Sequence, residues 1–201
     1  MKTLIVTGGI ASGKSTFIRH LIEEGGKRLR IFDCDAETGK LLNSCLLKDN
    51  LIQAFGIDAI TAEGHANRDF LREIVFQNPT SRKTLEGMIH PVLHQECLAQ
   101  IQEARQNKGV DGFVIDVPLF FETSMRYHQD AVCVVAVSRE TQKTRLALRN
   151  GFREDMIEAI LAAQLPIMEK VIAADFVIWN EGPPPMLYRQ TQRLYRHFFH
   201  D

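Results

Sequence analysis

The 201-residue chain is 45% hydrophobic and 24% charged, with a formal net charge of −1. That composition fits a soluble α/β core with an inserted or appended subdomain, and near-neutral charge argues against broad nucleic-acid binding. No apolar run reaches membrane-spanning length, and Met1-Lys2-Thr3 leads straight into strand character, so neither a membrane span nor a signal peptide is expected.

Leu4-Ile5-Val6 reads as a buried first strand, and Thr16-Phe17-Ile18-Arg19-His20-Leu21-Ile22 has helical periodicity. Between them stands Gly8-Gly9-Ile10-Ala11-Ser12-Gly13-Lys14-Ser15, which fits G-x-x-x-x-G-K-[ST]. Strand before and helix after are the setting that pattern needs. Glycines let the backbone curl so that successive N–H groups point at phosphate oxygens, and the helix offers its positive end. Lys14 can reach the outer phosphates, and the Ser15 hydroxyl can join a Mg²⁺ shell.

The first helix is expected over about 15–24, stopped by Gly25-Gly26, followed by a strand at Leu29-Arg30-Ile31-Phe32. Residues 36 to about 105 read as helices broken by turns, with a long helix after Thr80 interrupted at Pro91. Strands return at 112–117 and 131–137 as continuous apolar runs, the mark of a parallel sheet covered on both faces. Ser138 should cap a helix through Arg149, with Gly151 beyond its end. Residues 154–164 read as a helical, mobile flap, 176–179 as the last strand, and Pro183-Pro184-Pro185 as the break before a C-terminal helix. Five parallel strands with crossover helices predict an α/β doubly wound sheet.

Asp33 and Asp35 fall at the carboxyl end of the second strand, the edge of an open α/β sheet where ligands bind. One could orient Mg²⁺ while the other takes a proton from an attacking hydroxyl; the plain alternative is a solvated turn with Asp35 as helix cap. Asp116 ends the third strand in the manner of a magnesium-associated aspartate, or simply caps a turn. Phe120 and Phe121 just beyond it suit core or pocket wall.

Gln142, Arg145 and Arg149 share one helix face, which could lie over transferring phosphates or merely be solvated. His90 and His94 have i, i+4 spacing, yet lack the companion ligands of a zinc site. Cys34, Cys45, Cys97 and Cys133 are scattered without a C-x-x-C pair, which predicts a reducing, cytoplasmic setting, with Cys133 a small core residue. The basic, aromatic tail 188–199 is better explained by a helix docking on the core than by RNA binding.

Taken together, the chain resembles the dephospho-coenzyme A kinases. The likeness runs through 7–16, Asp33-x-Asp35, Phe55-Gly56, Asn67-Arg68 with Leu71, Leu85-Glu86 and His90-Pro91. It continues through Pro118-Leu119-Phe120-Phe121-Glu122, Gln142 with Arg145, Gln164, and Asn180 with Gly182. The resemblance implies a P-loop kinase that uses ATP and Mg²⁺ to phosphorylate the ribose 3′-hydroxyl of dephospho-CoA, the last step of coenzyme A biosynthesis. Asp35 would be the catalytic aspartate supported by Asp33, and Ser15 with Asp33 would serve the metal. Residues 8–16 would hold ATP, with Lys14 and Arg145 on its phosphates. Arg68, His90, Pro118 and Leu119 would meet the CoA moiety.

The implied organisation is a nucleotide-binding core at 1–35, 108–149 and 174–201, a helical CoA-binding domain at 36–107 and a lid at 150–173. Partners would be these small molecules, with no nucleic acid or membrane, and the chain a monomer or weak oligomer. Two departures stand out. Ala11 occupies a usual glycine position, which predicts a negative φ there. The segment after Asp35 lacks the family's Pro-Gly turn and is slightly shortened.

The nearest rival is another nucleoside monophosphate or small-molecule kinase on the same fold. A GTPase is disfavoured because Asp116-Val117-Pro118-Leu119 lacks the D-x-x-G glycine and Asn107-Lys108-Gly109-Val110 lacks the aspartate of N-K-x-D. A non-catalytic nucleotide-binding regulator is disfavoured because Lys14, Ser15, Asp33 and Asp35 are all intact.

Overall fold

The computed structural model describes residues 1–123 and 127–200. The chain divides into two compact units, Met1–Phe32 with Ile101–Asp201, and Asp33–Gln100.

The first unit is built on a five-stranded sheet: β1 Lys2–Gly8, β2 Leu29–Asp33, β3 Gly112–Asp116, β4 Ala131–Ala136 and β5 Phe176–Trp179, in the order β2-β3-β1-β4-β5. β1 pairs in parallel with β3 (Leu4 opposite Val114) and with β4 (Val6 opposite Cys133), and β4 with β5. Every residue of β3 and β4 is buried, as continuous apolar runs demand of strands covered on both faces.

Helix α1, Lys14–Gly25, turns Phe17, Ile18 and Leu21 onto Leu4, Val6, Val114, Cys133 and Val135. The same core receives Leu187 and Leu194 of the last helix, Pro184–Tyr195, and the rings of Phe198 and Phe199 in the π-helical turn that follows. The basic, aromatic tail thus spends its apolar residues on the core. Cys133 is fully buried, and desolvation pushes its thiol well above the usual range.

Asp33, the last residue of β2, caps α2 (Cys34–Leu42): its Oδ1 accepts the Ala36 N–H at 2.9 Å. The alternative of Asp35 as cap is corrected by this bond, since Asp35 lies within the first turn. The second unit continues with α3 Lys48–Phe55, α4 Arg68–Gln77 and most of α5 Pro79–Gln106. Leu41, Leu47, Leu51, Ala59, Leu71, Ile89, Leu93 and Cys97 are buried there. Burial, with the neighbouring Cys34 and Glu96 adding to it, pushes the Cys97 thiol up to about 12.

The expected interruption at Pro91 does not occur; α5 runs through it. Pro91 has no N–H to give the Gly87 carbonyl one turn earlier, and the helix continues past that missing bond to Gln106. Downstream come α6 Arg139–Asn150, α7 Glu154–Ala162, α8 Ile167–Ile172 and α9, the Pro184–Tyr195 helix. Ser138 Oγ accepts the Thr141 N–H at the start of α6, and Gly151 closes it at φ +63°. α8 has no counterpart in the sequence reading.

Gly112 tests how tightly the tail is docked. A Cβ there would come 2.3 Å from the Phe199 ring and 2.8 Å from Leu29 Cδ1. Gly112→Ala is therefore expected to destabilise the fold by about 1–3 kcal/mol through overpacking. Urea titration reads this directly, and an unchanged midpoint would show the tail to be loosely held.

Candidate active site

The loop between β1 and α1 is defined by where its carbonyls go. Gly8 O accepts from Lys170 Nζ at 3.5 Å, and Gly9 O from the Ser12 N–H at 3.2 Å. Ile10 O accepts from Gln142 Nε2 at 2.8 Å and Ala11 O from an Arg145 terminal nitrogen at 3.1 Å. Ser12 O accepts from Asn180 Nδ2 at 2.9 Å and from Arg145 at 3.3 Å, and Gly13 O takes the Thr16 and Phe17 N–H groups of α1. Six successive carbonyls are thereby satisfied, four of them by side chains from distant parts of the chain. The amides of Lys14 and Ser15 precede the first intrahelical bonds of α1, where a helix has donors to offer an anion.

The glycines are placed by steric need. A Cβ on Gly8 would lie 2.4 Å from the Val135 carbonyl oxygen, and one on Gly13, whose φ is +92°, 2.3 Å from Asn180 Nδ2. Ala11 overturns the expectation of a negative φ: it sits at +59°. Left-handed backbone costs an alanine roughly 1–2 kcal/mol. Two contacts hold it there. Arg145 grips its carbonyl in a charge-assisted bond of about 1.5–3 kcal/mol. Ala11 also packs, with Ile10, against Leu146, Ile157 and Leu161, which brings α6 and α7 onto the loop.

Lys14 is ion-paired with Asp116 at the end of β3, their side chains only 16% and 10% exposed. The exposed Ser15 hydroxyl lies one residue on. Beside the loop opens a cavity of about 600 Å³ lined by Ala11, Gly13, Thr16, Arg145, Leu148, Arg149, Asn180, Gly182, Pro184 and Leu187. It is apolar on the Leu148–Pro184–Leu187 side and cationic at Arg145 and Arg149. Arg145 also donates to Asn180 O at 3.0 Å, so its helix stripe is structural as well as site-facing.

Pro118 accepts the Thr7 hydroxyl on its carbonyl at 3.2 Å, which ties the segment after β3 to β1, and Leu119 is exposed. In the second unit Asp33 and Asp35 are both exposed at the start of α2. Arg68 donates to the Gly39 carbonyl at 2.9 Å, and His90 is half-buried on α5. Among the described residues there is no group of three or more His, Cys, Asp or Glu placed to hold a metal. A hard, strongly hydrated ion that takes one protein oxygen and fills its shell with phosphate and water suits a hydroxyl such as that of Ser15, exposed one residue beyond Lys14.

Sequence reasoning passed over Lys170 and the ion pair of Lys14 with Asp116. A lysine next to Glu169 on a short amphipathic stretch carries no sign of burial, and partners 102 residues apart share no pattern.

A glycine loop on a five-stranded parallel sheet, with lysine and serine opening the next helix, is the phosphate site of a P-loop kinase. A family model described as dephospho-CoA kinase matches residues 3–184. The dephospho-CoA kinase of Symbiobacterium thermophilum is 35% identical over 197 residues, covering 98% of this chain and 81% of that one. That of Geobacillus kaustophilus is 37% identical over 191 residues, covering 94% and 92%. The solved structure of dephospho-CoA kinase from Campylobacter jejuni superposes with a TM-score of 0.74 at 28% identity, covering all of this chain and 98% of that one. The chain belongs to the dephospho-CoA kinase family and is a kinase.

Opposite outcomes are expected at two loop positions. Ala11→Gly relieves backbone strain but loses a packed methyl and adds unfolded-state entropy, terms of about 1 kcal/mol each. Its stability and nucleotide affinity should stay within about 1 kcal/mol of wild type. Gly13→Ala drives a methyl into Asn180 at an unfavourable φ and should abolish measurable ATP binding by calorimetry.

Proposed function

We propose that this chain transfers the γ-phosphoryl group of ATP to the ribose 3′-hydroxyl of dephospho-CoA, giving coenzyme A and ADP. The observation that carries this reading is the fully braced loop with Lys14 at its end, in a chain matched by the dephospho-CoA kinase model over 3–184. The 600 Å³ cavity suits the adenosine of ATP, its apolar side against the base and its arginines towards the phosphates.

In this reading the backbone of 8–16 holds the phosphate chain. Lys14 shifts from Asp116 alone to sharing its charge with the outer phosphates as negative charge moves onto them. Arg145 has five N–H donors and is already fixed by three bonds, so the donors it has left meet the phosphates from a set position. Ser15 and Asp33 would hold Mg²⁺, which would supply neutralisation of the charge that develops on the phosphates. Asp35 accepts the proton of the acceptor hydroxyl, a transfer that a loose transition state calls for late. Arg68 and His90, in a helical domain at 36–107, bind the CoA moiety, as do Pro118 and Leu119, and 150–173 acts as the lid.

No helix among the described residues is long and apolar enough to cross a membrane. Four cysteines outside any disulfide among the described residues are at home in the cytoplasm, where we place the enzyme, acting as a monomer or weak oligomer.

A coupled ADP-release assay with dephospho-CoA against AMP, shikimate and other alcohol acceptors decides the substrate. Turnover restricted to dephospho-CoA is expected, and turnover of another acceptor alone would reassign the chain. In the same assay Asp35→Asn should lower kcat at least a hundredfold with the KM for ATP little changed. Lys14→Ala should lower kcat/KM by about 10²–10³, the scale of losing one transition-state charge contact. An Asp35→Asn enzyme with wild-type kcat would remove that residue from the role of base.

A further inference from the structure

Lys170 is fully buried on α8, although Met168 and Ile172 on the same short helix are exposed. Lysine is almost never fully buried without a partner. Here the partner is Glu122, 2.5 Å away, whose side chain is 18% exposed. The same Glu122 Oε1 accepts the Leu165 N–H at 3.0 Å. On its other side the ammonium reaches the carbonyl of Gly8, the first glycine of the loop, at 3.5 Å.

Burying an ion pair is a poor way to gain stability, since apolar side chains of similar volume commonly do as well or better. What an apolar side chain cannot do is bind a carboxylate and a backbone carbonyl at once. The ammonium joins three segments: α8, the stretch from Pro118 to Glu122 after β3, and the phosphate loop. Gly8 is clamped on its far side too, where there is no room for a Cβ against Val135. Gln164, six residues before Lys170, adds a second tie by accepting the Ile10 N–H at 3.1 Å.

We propose that Lys170 is a positioning residue: its ammonium, paired with Glu122, ties the first glycine of the phosphate loop to the Pro118–Glu122 segment, so that the ATP side and the acceptor side of the site are set together. This rests on the kinase reading above, in which that segment meets the acceptor. Lys170 itself touches neither substrate.

The experiment compares wild type, Lys170→Met, Glu122→Gln and the double variant by steady-state kinetics well below each melting temperature, with ATP binding followed separately by calorimetry. Lys170→Met is expected to lower kcat at least tenfold and to raise the KM for both ATP and dephospho-CoA at least threefold. Glu122→Gln keeps the shape and the Leu165 bond but removes the anion, and should shift the same three parameters two- to fivefold. The double variant should be no worse than Lys170→Met, because one link has been cut twice. Single variants whose melting temperature falls while kcat and both KM values stay within twofold of wild type would overturn the proposal. So would strictly additive effects in the double variant. Should Lys170→Met not fold, Glu122→Gln decides alone; failure of both to fold would make the pair structural only and would likewise overturn it. A wild-type enzyme silent towards dephospho-CoA would count against the substrate reading instead. The loop claim would then stand or fall on whether Lys170→Met weakens ATP binding at least threefold.

Discussion

A backbone that turns its amides towards an anion must turn its carbonyls away from it, and those carbonyls need donors. This constraint shapes the first unit of the chain. The carbonyls of Gly8, Ile10, Ala11 and Ser12 are met by Lys170, Gln142, Arg145 and Asn180, which come from α8, α6 and the end of β5. Each neutral bond is worth about 1 kcal/mol and each charged one about 1.5–3, so no single brace dominates. Jointly they fix a conformation that eight residues could not hold alone, including a left-handed alanine. The sheet serves the same end: β4, buried throughout, supplies the wall against which Gly8 lies.

Charge is arranged on the same plan. Lys14 is held by Asp116 before any phosphate arrives, so its long side chain has little rotamer freedom left to lose on binding. The pair is partly covered, which keeps its attraction from being screened as an exposed pair would be. Lys170 repeats the arrangement on the hidden side of the loop, with Glu122 as anion. Asp116 and Glu122 both lie on β3 or the segment that leaves it, so that short stretch supplies the counter-charges for two lysines from opposite ends of the first unit.

The sequence was most legible where a local rule has no competitor. Gly8, Gly13, Lys14 and Ser15 define the loop by spacing, and the runs at 112–116 and 131–136 can only be strands buried on both faces. Ser138 with Gly151 brackets α6 to the residue. Reading failed where tertiary contacts outweigh a local preference. Ala11 should avoid positive φ, and does so in isolation; Arg145 and the Leu146–Ile157–Leu161 cluster hold it there. Pro91 should break a helix, yet α5 continues through it. α8 was missed because Ile167–Ile172 is too short to show a period.

The candidate site divides along the same line. Its phosphate half is a sequence-local object and was readable as such, whereas its braces are single residues 132 to 168 positions away along the chain. Gln164 and Asn180 entered only through likeness to a family, which gave no physical reason for them, and Gln142 entered first as part of a helix-face stripe whose reading was contact with phosphate. The structure gives a physical reason for all three: each is a side-chain amide that finishes a backbone hydrogen bond the loop itself cannot close. A residue of this kind looks like an ordinary surface polar group until the carbonyl or amide it serves is known. Lys170 is the extreme case, because its burial is visible in no pattern of neighbours. Gln142, Gln164, Asn180 and Lys170 thus shape the phosphate loop through its backbone, and residues of this kind are found by asking which backbone groups near the loop would otherwise go without a partner.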